Sequence, residues 1–385
     1  MTDMKPGWQR VKFGELANCI NDRVDDPSTA GVERYVGLEH LDPESLTIRR
    51  WGSPDDVEST KLRFKPGDII FGKRRAYQRK LAVADFEGIC SAHAMVLRAK
   101  PDVIMPEFLP LFMQSDLLMK RAVEISVGSL SPTINWKALA QQEFALPPPE
   151  EQPRLVTMLS AWYRFSASYA DSLVVGTQAQ AAALRHFYEK RADEIPLSMF
   201  CRNLITYGIV QAGPDVPNGV PYIRVTDMAE GELKLDNLQR TAPEIAAKYK
   251  RSELDEGDLV LALRGPIGLA VTLPASLRGA NLTQGTARVS VRRELSTDYV
   301  RWALRSSPIQ ARINSVAKGS TFKEISLAAL RDLPIPWVAP QRQHEIAEVL
   351  NAVDVSLRDM HEKKDQANMR IKAALSVVLD AGEQT

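Results

Sequence analysis

Residues 126–136 read SVGSLSPTINW, and residues 315–322 read SVAKGSTF, about 190 positions further along the chain. Each stretch is followed by an Ala-Leu pair, by an apolar run that contains proline, and by a glutamine. Further pairs of stretches agree upstream: YVGLEHL at 35–41 with YIRVTDM at 222–228, PGDII at 66–70 with EGDLV at 256–260, and residues 108–115 with 299–306. Matches in one order at a nearly constant offset indicate an internal duplication, which determines the architecture before any local pattern does.

Each copy has the pattern of a small α/β (α+β) domain. Short apolar runs such as residues 68–71 and 94–97 are typical of strands, and residues 108–124 have helical spacing. Prolines at 147–149 and at 334–340 end the copies, because proline neither continues a strand ladder nor sits inside a helix. We predict two domains, residues 1–149 and 193–340, and two long helices, residues 150–192 and 341–385. Apolar positions agree between the copies while polar positions differ, which predicts a shared core with different surfaces.

Each copy ends in a helix that carries apolar residues at alternating spacings of three and four. In the second helix this seam is Ile346, Leu350, Val353, Leu357, Met360, Ile371 and Val378. In the first helix it is Leu155, Leu159, Trp162, Tyr169 and Leu173, with weak points at Ser166, Gly176 and Gln180. Similar registers at equivalent places predict an antiparallel coiled coil about a pseudo-twofold axis, with helices about 55 Å long at about 1.5 Å per residue. The alternative is that each helix packs only on its own domain.

Bulk composition excludes several classes of protein. The chain has 385 residues, of which 44% are hydrophobic, and a net charge of +1. This balance excludes a polycation that coats nucleic acid, so any DNA contact must come from local patches. Cys19, Cys90 and Cys201 form no CxxC motif, which disfavours a disulfide framework or a zinc site and suits a reducing cytosol. No apolar run approaches the roughly 20 residues of a membrane span, and residues 1–12 lack a signal-peptide core, so we expect a cytoplasmic protein.

The motifs that would indicate catalysis are missing from the sequence. It contains no HExxH, GxSxG or GxGxxG, no Asn-Pro-Pro-Tyr or Asp-Pro-Pro-Tyr motif for amino-methyl transfer, and no nuclease cluster. Residues 67–73, GDIIFGK, fit the GxxxxGK of a phosphate-binding loop, but Arg74 stands where a Ser or Thr should bind magnesium. We therefore expect no catalytic residues, no metal site and no cofactor bound by this chain.

The basic stretch at residues 73–80, KRRAYQRK, has five positive charges in eight residues. Such a cluster can neutralise phosphates, and an arginine can also bind O6 and N7 of guanine in the major groove. We predict DNA contacts from Lys73, Arg74, Arg75, Tyr77, Arg79 and Lys80. The alternative is an ordinary solvated loop.

Two loops rich in Gly, Ser and Thr are further candidates, because their short donors and acceptors can reach base edges or phosphates. We predict contacts from Ser129, Ser131, Thr133 and Asn135 in the first copy, and from Lys318, Ser320, Thr321 and Lys323 in the second. The alternative is that these loops are turns that cap helices. A looser polar set in the second copy is Arg264, Asn281, Thr283, Gln284 and Arg288, of which Asn and Gln can bind adenine with two hydrogen bonds.

The chain resembles the specificity (S) subunit of Type I restriction–modification systems, over residues from about 8 to about 379. The stretches that carry the resemblance are PGDIIFGKR at 66–74, GSLSPTINW at 128–136 and FALPPPEEQ at 144–152, together with their order and the duplication. Pro153 departs from the pattern, because such subunits more often have a charged residue there. Proline is tolerated in the first turn of a helix, so only the start of the helix is affected.

The resemblance implies that each α/β domain is a target recognition domain that reads one half of a split, asymmetric DNA site. It also implies that the helices set the unread gap and dock methyltransferase (M) subunits, expected to be two, which bind S-adenosylmethionine and methylate N6 of adenine. Restriction (R) subunits that use ATP and Mg would join them in defence against phage, and this chain would itself catalyse nothing. The alternatives are a specificity-like subunit of another methyltransferase-based defence system and a stand-alone enzyme with a duplicated fold.

Overall fold

The computed structural model describes residues 5–189, 193–229, 232–319 and 323–383. The chain divides into two compact units: unit 1 is Met1–Leu173 with Asp359–Thr385, and unit 2 is Val174–Arg358. The predicted boundaries set the long helices apart as separate segments, whereas this division falls inside both helices. The reason is that part of each helix packs into the core of each unit.

Unit 1 contains the first copy of the repeat. Its strands are β1 (Gln9–Lys12), β2 (Ala17–Ile20), β3 (Arg23–Val24), β4 (Tyr35–Val36), β5 (Lys61–Phe64), β6 (Ile69–Gly72), β7 (Leu81–Val83), β8 (Gly88–Ser91), β9 (Ala94–Ala99) and β10 (Glu143–Leu146). Its helices are α1 (Phe13–Leu16), α2 (Phe108–Met113), α3 (Asp116–Glu124) and α4 (Trp136–Ala140), followed by the long helix α5 (Gln152–Tyr188).

Unit 2 contains the second copy. Its strands are β11 (Glu194–Pro196), β12 (Thr206–Tyr207), β13 (Val220–Ile223), β14 (Met228–Ala229), β15 (Glu232–Leu233), β16 (Arg240–Thr241), β17 (Leu259–Ala262), β18 (Ala270–Thr272), β19 (Asn281–Leu282), β20 (Thr286–Val289) and β21 (Pro334–Pro336). Its helices are α6 (Leu197–Phe200), α7 (Pro243–Lys248), α8 (Thr297–Arg305), α9 (Ser307–Val316) and α10 (Leu327–Arg331), followed by the long helix α11 (Pro340–Glu383).

The sheet topology of unit 1 recurs in unit 2. An antiparallel sheet has the strand order β2-β9-β6-β7 in unit 1 and β12-β20-β17-β18 in unit 2. A mixed sheet follows in each unit, in which β4 pairs in parallel with β8, and β13 in parallel with β19. The first and last strands of each copy also pair, β1 with β10 and β11 with β21. The duplication predicted from the sequence is therefore a duplication of fold.

The PGD stretch of unit 1 is a tight turn before β6. Gly67 has a φ of +87°, the left-handed region that favours glycine. Asp68 is buried, and its Oδ2 accepts a hydrogen bond from the backbone N–H of Lys65 at 2.9 Å. Arg98 donates to the same carboxylate, with Nε 2.7 Å from Oδ1. GDIIFGK is thus a turn followed by the strand β6, with the Asp68 carboxylate bound within the turn.

Unit 2 repeats this turn with a different arginine. Gly257 has a φ of +78°, and Asp258 is buried and accepts from the backbone N–H of Asp255 at 2.9 Å. Arg202 supplies the guanidinium, with Nη2 2.9 Å from Oδ1 of Asp258. A buried carboxylate that caps a turn is costly to leave without partners, which explains why both copies contain Gly-Asp here.

We expect the substitution Asp68→Ala to lower the free energy of unfolding by about 1–3 kcal/mol, because it leaves the backbone N–H of Lys65 and the Arg98 guanidinium without their acceptor. Urea unfolding of the full chain measures the effect. Asp85 is the matched control, since it is exposed and its removal should change stability by less than about 0.5 kcal/mol. Equal effects of the two substitutions would contradict the structural role of Asp68.

In unit 1 the two long helices run antiparallel. Leu155 and Leu159 of α5 share a core with Leu375 and Leu379 of α11. Further along α5, Ser166 Oγ donates to Asn368 Oδ1 at 2.7 Å, so residue numbers rise on one helix as they fall on the other. The antiparallel pairing predicted from the heptads is present here.

In unit 2 the helices pair in the same sense. Tyr188 of α5 shares a core with Ile346 and Leu350 of α11, and Leu357 packs against Gly176. Every seam position predicted from the heptads is buried or half-buried: Leu155, Leu159, Trp162, Tyr169, Leu173, Ile346, Leu350, Val353, Leu357, Met360, Ile371 and Val378. None of the helices in the described parts of the chain combines the length and apolarity that a bilayer crossing needs.

Candidate nucleic-acid interface

The basic stretch of unit 1 forms the connection from β6 to β7. Ala76 is buried in the core and begins a 3-10 turn, Ala76–Gln78. Arg75 (φ +58°) and Arg79 (φ +52°) flank this turn in the left-handed region, which costs of order 1 kcal/mol or more for each residue. The fold holds this conformation through Ala76 and the sheet on either side, so the turn is a rigid support for its side chains.

The basic turn and the Gly/Ser/Thr-rich loop, which lie about 55 residues apart in sequence, meet in space. The backbone N–H of Arg75 donates to Pro132 O at 2.8 Å, and the N–H of Ile134 donates to Lys73 O at 2.9 Å. Arg74 Nε donates to Ser131 Oγ at 2.6 Å. Two segments predicted separately as DNA contacts therefore form one surface. We call it the unit 1 face: Lys73, Arg74, Arg75, Tyr77, His93, Ser129, Ser131 and Thr133.

The side chains of the basic turn divide into two groups. Arg74 and Arg75 are exposed, and Tyr77 is 56% exposed, which leaves them accessible to a ligand. Arg79 instead forms ion pairs with Asp116 and Glu44 and donates to Gln114 O. Lys80 is half-buried, and its Nζ donates to Leu38 O at 2.6 Å. The predicted DNA contacts of Arg79 and Lys80 stay predictions, and in this structure their charged groups hold the turn onto the rest of unit 1.

The Gly/Ser/Thr-rich loop of unit 1 combines a cap with a surface. Asn135 is exposed and is the N-cap of α4, with Oδ1 accepting from the backbone N–H of Lys137 at 2.9 Å. Ser129 is exposed, while Ser131 and Thr133 are half-buried, and Thr133 Oγ1 donates to Ser131 O at 3.2 Å. The capping alternative therefore describes Asn135, and the exposed Ser129 remains available for contact.

Sequence reasoning missed the apolar members of this loop. Leu130 is 92% exposed and Val127 is 76% exposed, next to the polar residues considered above. Exposed apolar side chains on a DNA-facing loop can contact the methyl group of thymine. The sequence did contain a signal: Leu130 lies between two serines and belongs to no heptad or strand pattern that would bury it.

His93 also belongs to the unit 1 face. Its backbone O accepts from the N–H of Lys73 at 3.1 Å, and its Nε2 lies 3.5 Å from Nη1 of Arg74. Partial burial lowers the pKa of His93, and the positive charges of Arg74, Lys73 and Lys61 lower it further. The ring is therefore neutral near pH 7, where one nitrogen accepts a hydrogen bond and the other donates.

We expect Arg74→Ala to raise the pKa of His93 toward its ordinary value of about 6.5, because the loss of a neighbouring positive charge stabilises the imidazolium. A titration of the imidazole C–H signals of the full chain by NMR measures this. Arg75→Ala is the matched control and should change the pKa less, since Arg75 is not among the groups that lower it. An unchanged pKa in the Arg74 variant would refute the interaction.

Around Arg264, unit 2 repeats the two backbone hydrogen bonds that Lys73 makes beside Arg74, one with His93 and one with Ile134. We call this shared pair of hydrogen bonds the backbone frame. The N–H of Leu263 donates to Gly285 O at 2.9 Å, and the N–H of Ile325 donates to Leu263 O at 3.0 Å. The backbone of Arg264 forms an isolated antiparallel β-bridge with Glu324, and the Arg264 side chain is exposed. Arg264 of unit 2 therefore corresponds in place to Arg74 of unit 1.

The second loop lies beside this frame. Lys318 and Lys323 are exposed, and the backbone N–H and O of Lys318 each pair with Glu324 at 2.9 Å. Ser320 and Thr321, which we also predicted to contact DNA, lie outside the described residues.

A recess of about 470 Å³ opens beside Arg264 in unit 2. Thr283 and Gln284 line it, and the backbone N–H of Gln284 donates to Ile209 O at 3.0 Å, while the Gln284 side chain is exposed. The recess therefore presents a guanidinium and an amide side by side.

Asn281 does not join this recess, and its predicted role was wrong. The residue is 2% exposed, and its Oδ1 accepts from Ser252 Oγ and from the backbone N–H of Leu282, both at 2.8 Å. Its Nδ2 donates to Tyr249 O at 3.3 Å. The amide is consumed in holding β19, so it has no free donor and acceptor pair for a base.

Arg224 is a member of the recess that the sequence analysis missed. Its guanidinium lines the recess and is held by Asp227, with Nη2 2.6 Å from Oδ1 and Nε 3.0 Å from Oδ2. The corresponding position in the first copy is Gly37. Alignment of the two copies could have found Arg224, because a charged residue replaces glycine there in an otherwise similar stretch.

Comparisons with known proteins agree with this duplicated fold. The model of the type I restriction modification DNA specificity domain matches residues 7–168 and again residues 211–368. A putative type I restriction enzyme MjaX specificity subunit from Methanocaldococcus jannaschii is 22% identical over 414 residues, covering 98% of this chain and 92% of that protein. The type I restriction enzyme EcoBI specificity subunit from Escherichia coli is 26% identical over 176 residues, which are 46% of this chain and 37% of that protein.

Solved structures are similar over the full length. The S subunit of a type I restriction-modification system from M. genitalium matches with a TM-score of 0.61 and 15% identity, covering 97% of this chain and 96% of the other. A structure described for complex assembly and conformational transition of the type I R-M system matches with a TM-score of 0.53 and 19% identity, covering 99% and 98%. At these identities the likeness concerns the fold. With two matches to the family model along its length, the chain belongs to the type I restriction–modification specificity family.

Proposed function

We propose that this chain is the DNA sequence-recognition subunit of a Type I restriction–modification complex, and that each unit reads one half of a bipartite, asymmetric DNA site. The proposal depends on one observation: the two units share a backbone frame, but the side chains around that frame differ. Arg74 and Arg264 occupy corresponding places on the same backbone hydrogen bonds, while the side chains around them differ. One frame with two surfaces suits two different half-sites.

The chemistry of the unit 1 face fits DNA. Arginine donates in a fork that matches O6 and N7 of guanine, so Arg74 is our candidate base reader. Lys73 and Arg75 flank it and supply charge to neutralise phosphates. Because the net charge of the chain is only +1, such contacts must be local, and this surface concentrates them.

The recess of unit 2 fits a different half-site. Gln284 offers an acceptor and a donor, the pattern that pairs with N6 and N7 of adenine. Arg264 beside it offers donors only and matches guanine. We propose that these two side chains determine the second half-site, with Lys318 and Lys323 on phosphates.

We further propose that α5 and α11 set the gap between the half-sites and dock two methyltransferase subunits, which bind S-adenosylmethionine. Restriction subunits with ATP and Mg would join that complex. A groove in unit 1 supports docking: Trp162, Phe165, Tyr169 and Arg370 line a space of about 500 Å³, and Phe165 is 43% exposed. Arg370 also lies over the Trp162 ring, 5.0 Å from its centroid. An exposed phenylalanine between half-buried aromatics and beside an arginine is typical of protein interfaces.

The test is a map of methylated adenines in a methylation-free bacterial host that expresses the chain with its partner methyltransferase. We expect a motif of two specified parts separated by an unspecified gap. Replacing residues 1–149 with the corresponding domain of another family member should change one part and leave the other intact, because each unit reads separately. A change in both parts would contradict modular recognition, and the lack of any two-part motif would refute the proposed function.

A further inference from the structure

At one position of the shared frame, unit 1 carries a side chain and unit 2 carries a glycine. Gly72 of β6 pairs with Ala94 of β9, and Ala262 of β17 pairs with Thr286 of β20. The residues that precede Ala94 and Thr286 are therefore equivalent. They are His93 in unit 1 and Gly285 in unit 2.

Their backbones make the same contact. His93 O accepts from the N–H of the residue after Gly72, and Gly285 O accepts from the N–H of the residue after Ala262. Gly285 is not in the left-handed region, so its backbone conformation does not require glycine. The difference between the copies lies in the side chain alone.

That side chain decides how the shared arginine is presented. In unit 2, a Cβ placed on Gly285 would lie 2.7 Å from Nε of Arg264, so the guanidinium lies directly over the bare glycine. In unit 1, the His93 imidazole stands at this place, and Arg74 is turned to Ser131 with its Nη1 3.5 Å from His93 Nε2. Unit 1 therefore presents an arginine and an imidazole where unit 2 presents an arginine alone.

The hydrogen-bonding state of the imidazole follows from its neighbour. A guanidinium only donates, so Nε2 of His93 accepts from Arg74 and the proton of the neutral ring sits on Nδ1. That Nδ1–H donor has no hydrogen-bond partner among the described residues, and His93 is exposed. An unpaired donor beside a candidate base reader suits an acceptor on a base edge, such as purine N7 or thymine O4.

Resting on the proposed function, we infer that His93 is a specificity-determining residue of unit 1, which reads a base pair adjacent to the one read by Arg74. Gly285 leaves unit 2 without an equivalent reader. At this position of the shared frame, unit 1 therefore offers a base reader that unit 2 lacks.

The test maps methylated adenines for the full chain expressed with its partner methyltransferase. His93→Ala removes the donor, and we expect discrimination at one base pair of one half-site to fall by about tenfold to a hundredfold. His93→Asn places an amide donor near the position of Nδ1 and should restore part of the preference. Ala92→Gly is the matched control, since it loosens the same exposed turn and keeps the imidazole.

A second arm uses unit 2. Gly285→Ala should displace the Arg264 guanidinium, because the new Cβ would lie 2.7 Å from Nε, and should alter only the other half-site. Thermal unfolding of each variant should match the parent, because His93 is exposed and the atom that Gly285→Ala would meet belongs to a flexible side chain.

The outcomes separate the inference from the proposed function. A motif that keeps every position in His93→Ala, or that loses all positions equally, would overturn the role of His93 while leaving DNA recognition intact. A parent chain that yields no two-part motif would overturn the proposed function and the inference with it.

Discussion

Replacing Lys73, Arg74 and Arg75 together with alanine is expected to weaken binding to a DNA duplex that contains the recognised site by about a hundredfold at about 0.15 M salt. The reason is the loss of one arginine that binds a base and of two cations that neutralise phosphates. The slope of log affinity against log salt should flatten by about 1.8, because each of the two lost phosphate contacts removes about 0.9. Fluorescence anisotropy of the methyltransferase complex over a salt series measures both quantities.

Three exposed cations outside the unit 1 face give the matched control: Arg23, Lys65 and Arg154. Their joint replacement changes the net charge of the chain by the same amount. If it weakened binding as much as the first triple substitution, the effect would come from total charge and not from the unit 1 face. An unchanged salt slope in the first variant would refute the face as a phosphate contact.

Inserting seven residues in both long helices is the second change with a large expected effect. The insertions go between Leu173 and Val174 in α5 and between Arg358 and Asp359 in α11, where the chain passes from one unit to the other. One heptad keeps the seam in register and lengthens each helix by about 10 Å. If the helices set the gap, methylation at the original spacing should disappear, and the motif should gain about three base pairs at about 3.4 Å each.

Methylation at the longer sites should be weaker than in the parent. Three added base pairs also turn the second half-site by about a hundred degrees about the DNA axis, at about 10.5 base pairs per turn. One added heptad does not turn the paired helices by the same angle. Insertion of four residues at the same places is the control, because it takes the seam out of phase and should abolish two-part recognition. A heptad variant that still methylates the original spacing would refute the idea that the helices measure the gap.

Sequence analysis could detect the duplication and the heptads, because the requirement to bury the same residue types recurs in both copies. Asp68 and Asp258 recur because each caps the same turn while buried, and the seam from Ile346 to Val378 recurs in α5 because each helix must bury one side. A constraint imposed by the core appears twice when the core appears twice. Pattern comparison along the chain detects such constraints without any knowledge of contacts.

Side-chain direction was not accessible in this way. Arg75 and Arg79 stand four residues apart in one basic stretch, yet Arg75 is exposed while Arg79 pairs with Asp116 and Glu44. Two left-handed residues around a buried Ala76 cause this difference. Asn281 failed as a candidate for a related reason, since its partner Ser252 lies 29 residues away and only the fold brings the two together.

The amino-acid order by itself determined that two similar α/β domains and two heptad-bearing helices follow one another, because burial acts on residue type at fixed spacing. Tertiary structure alone decided which polar groups remain free to meet a ligand. Arg74 and Ser131 become neighbours only when β6 and the loop before α4 pack together, and Arg264 meets Gly285 only across the sheet of unit 2. Contacts between distant segments depend on how the chain folds back on itself. The spacing of residues along one copy does not determine that path.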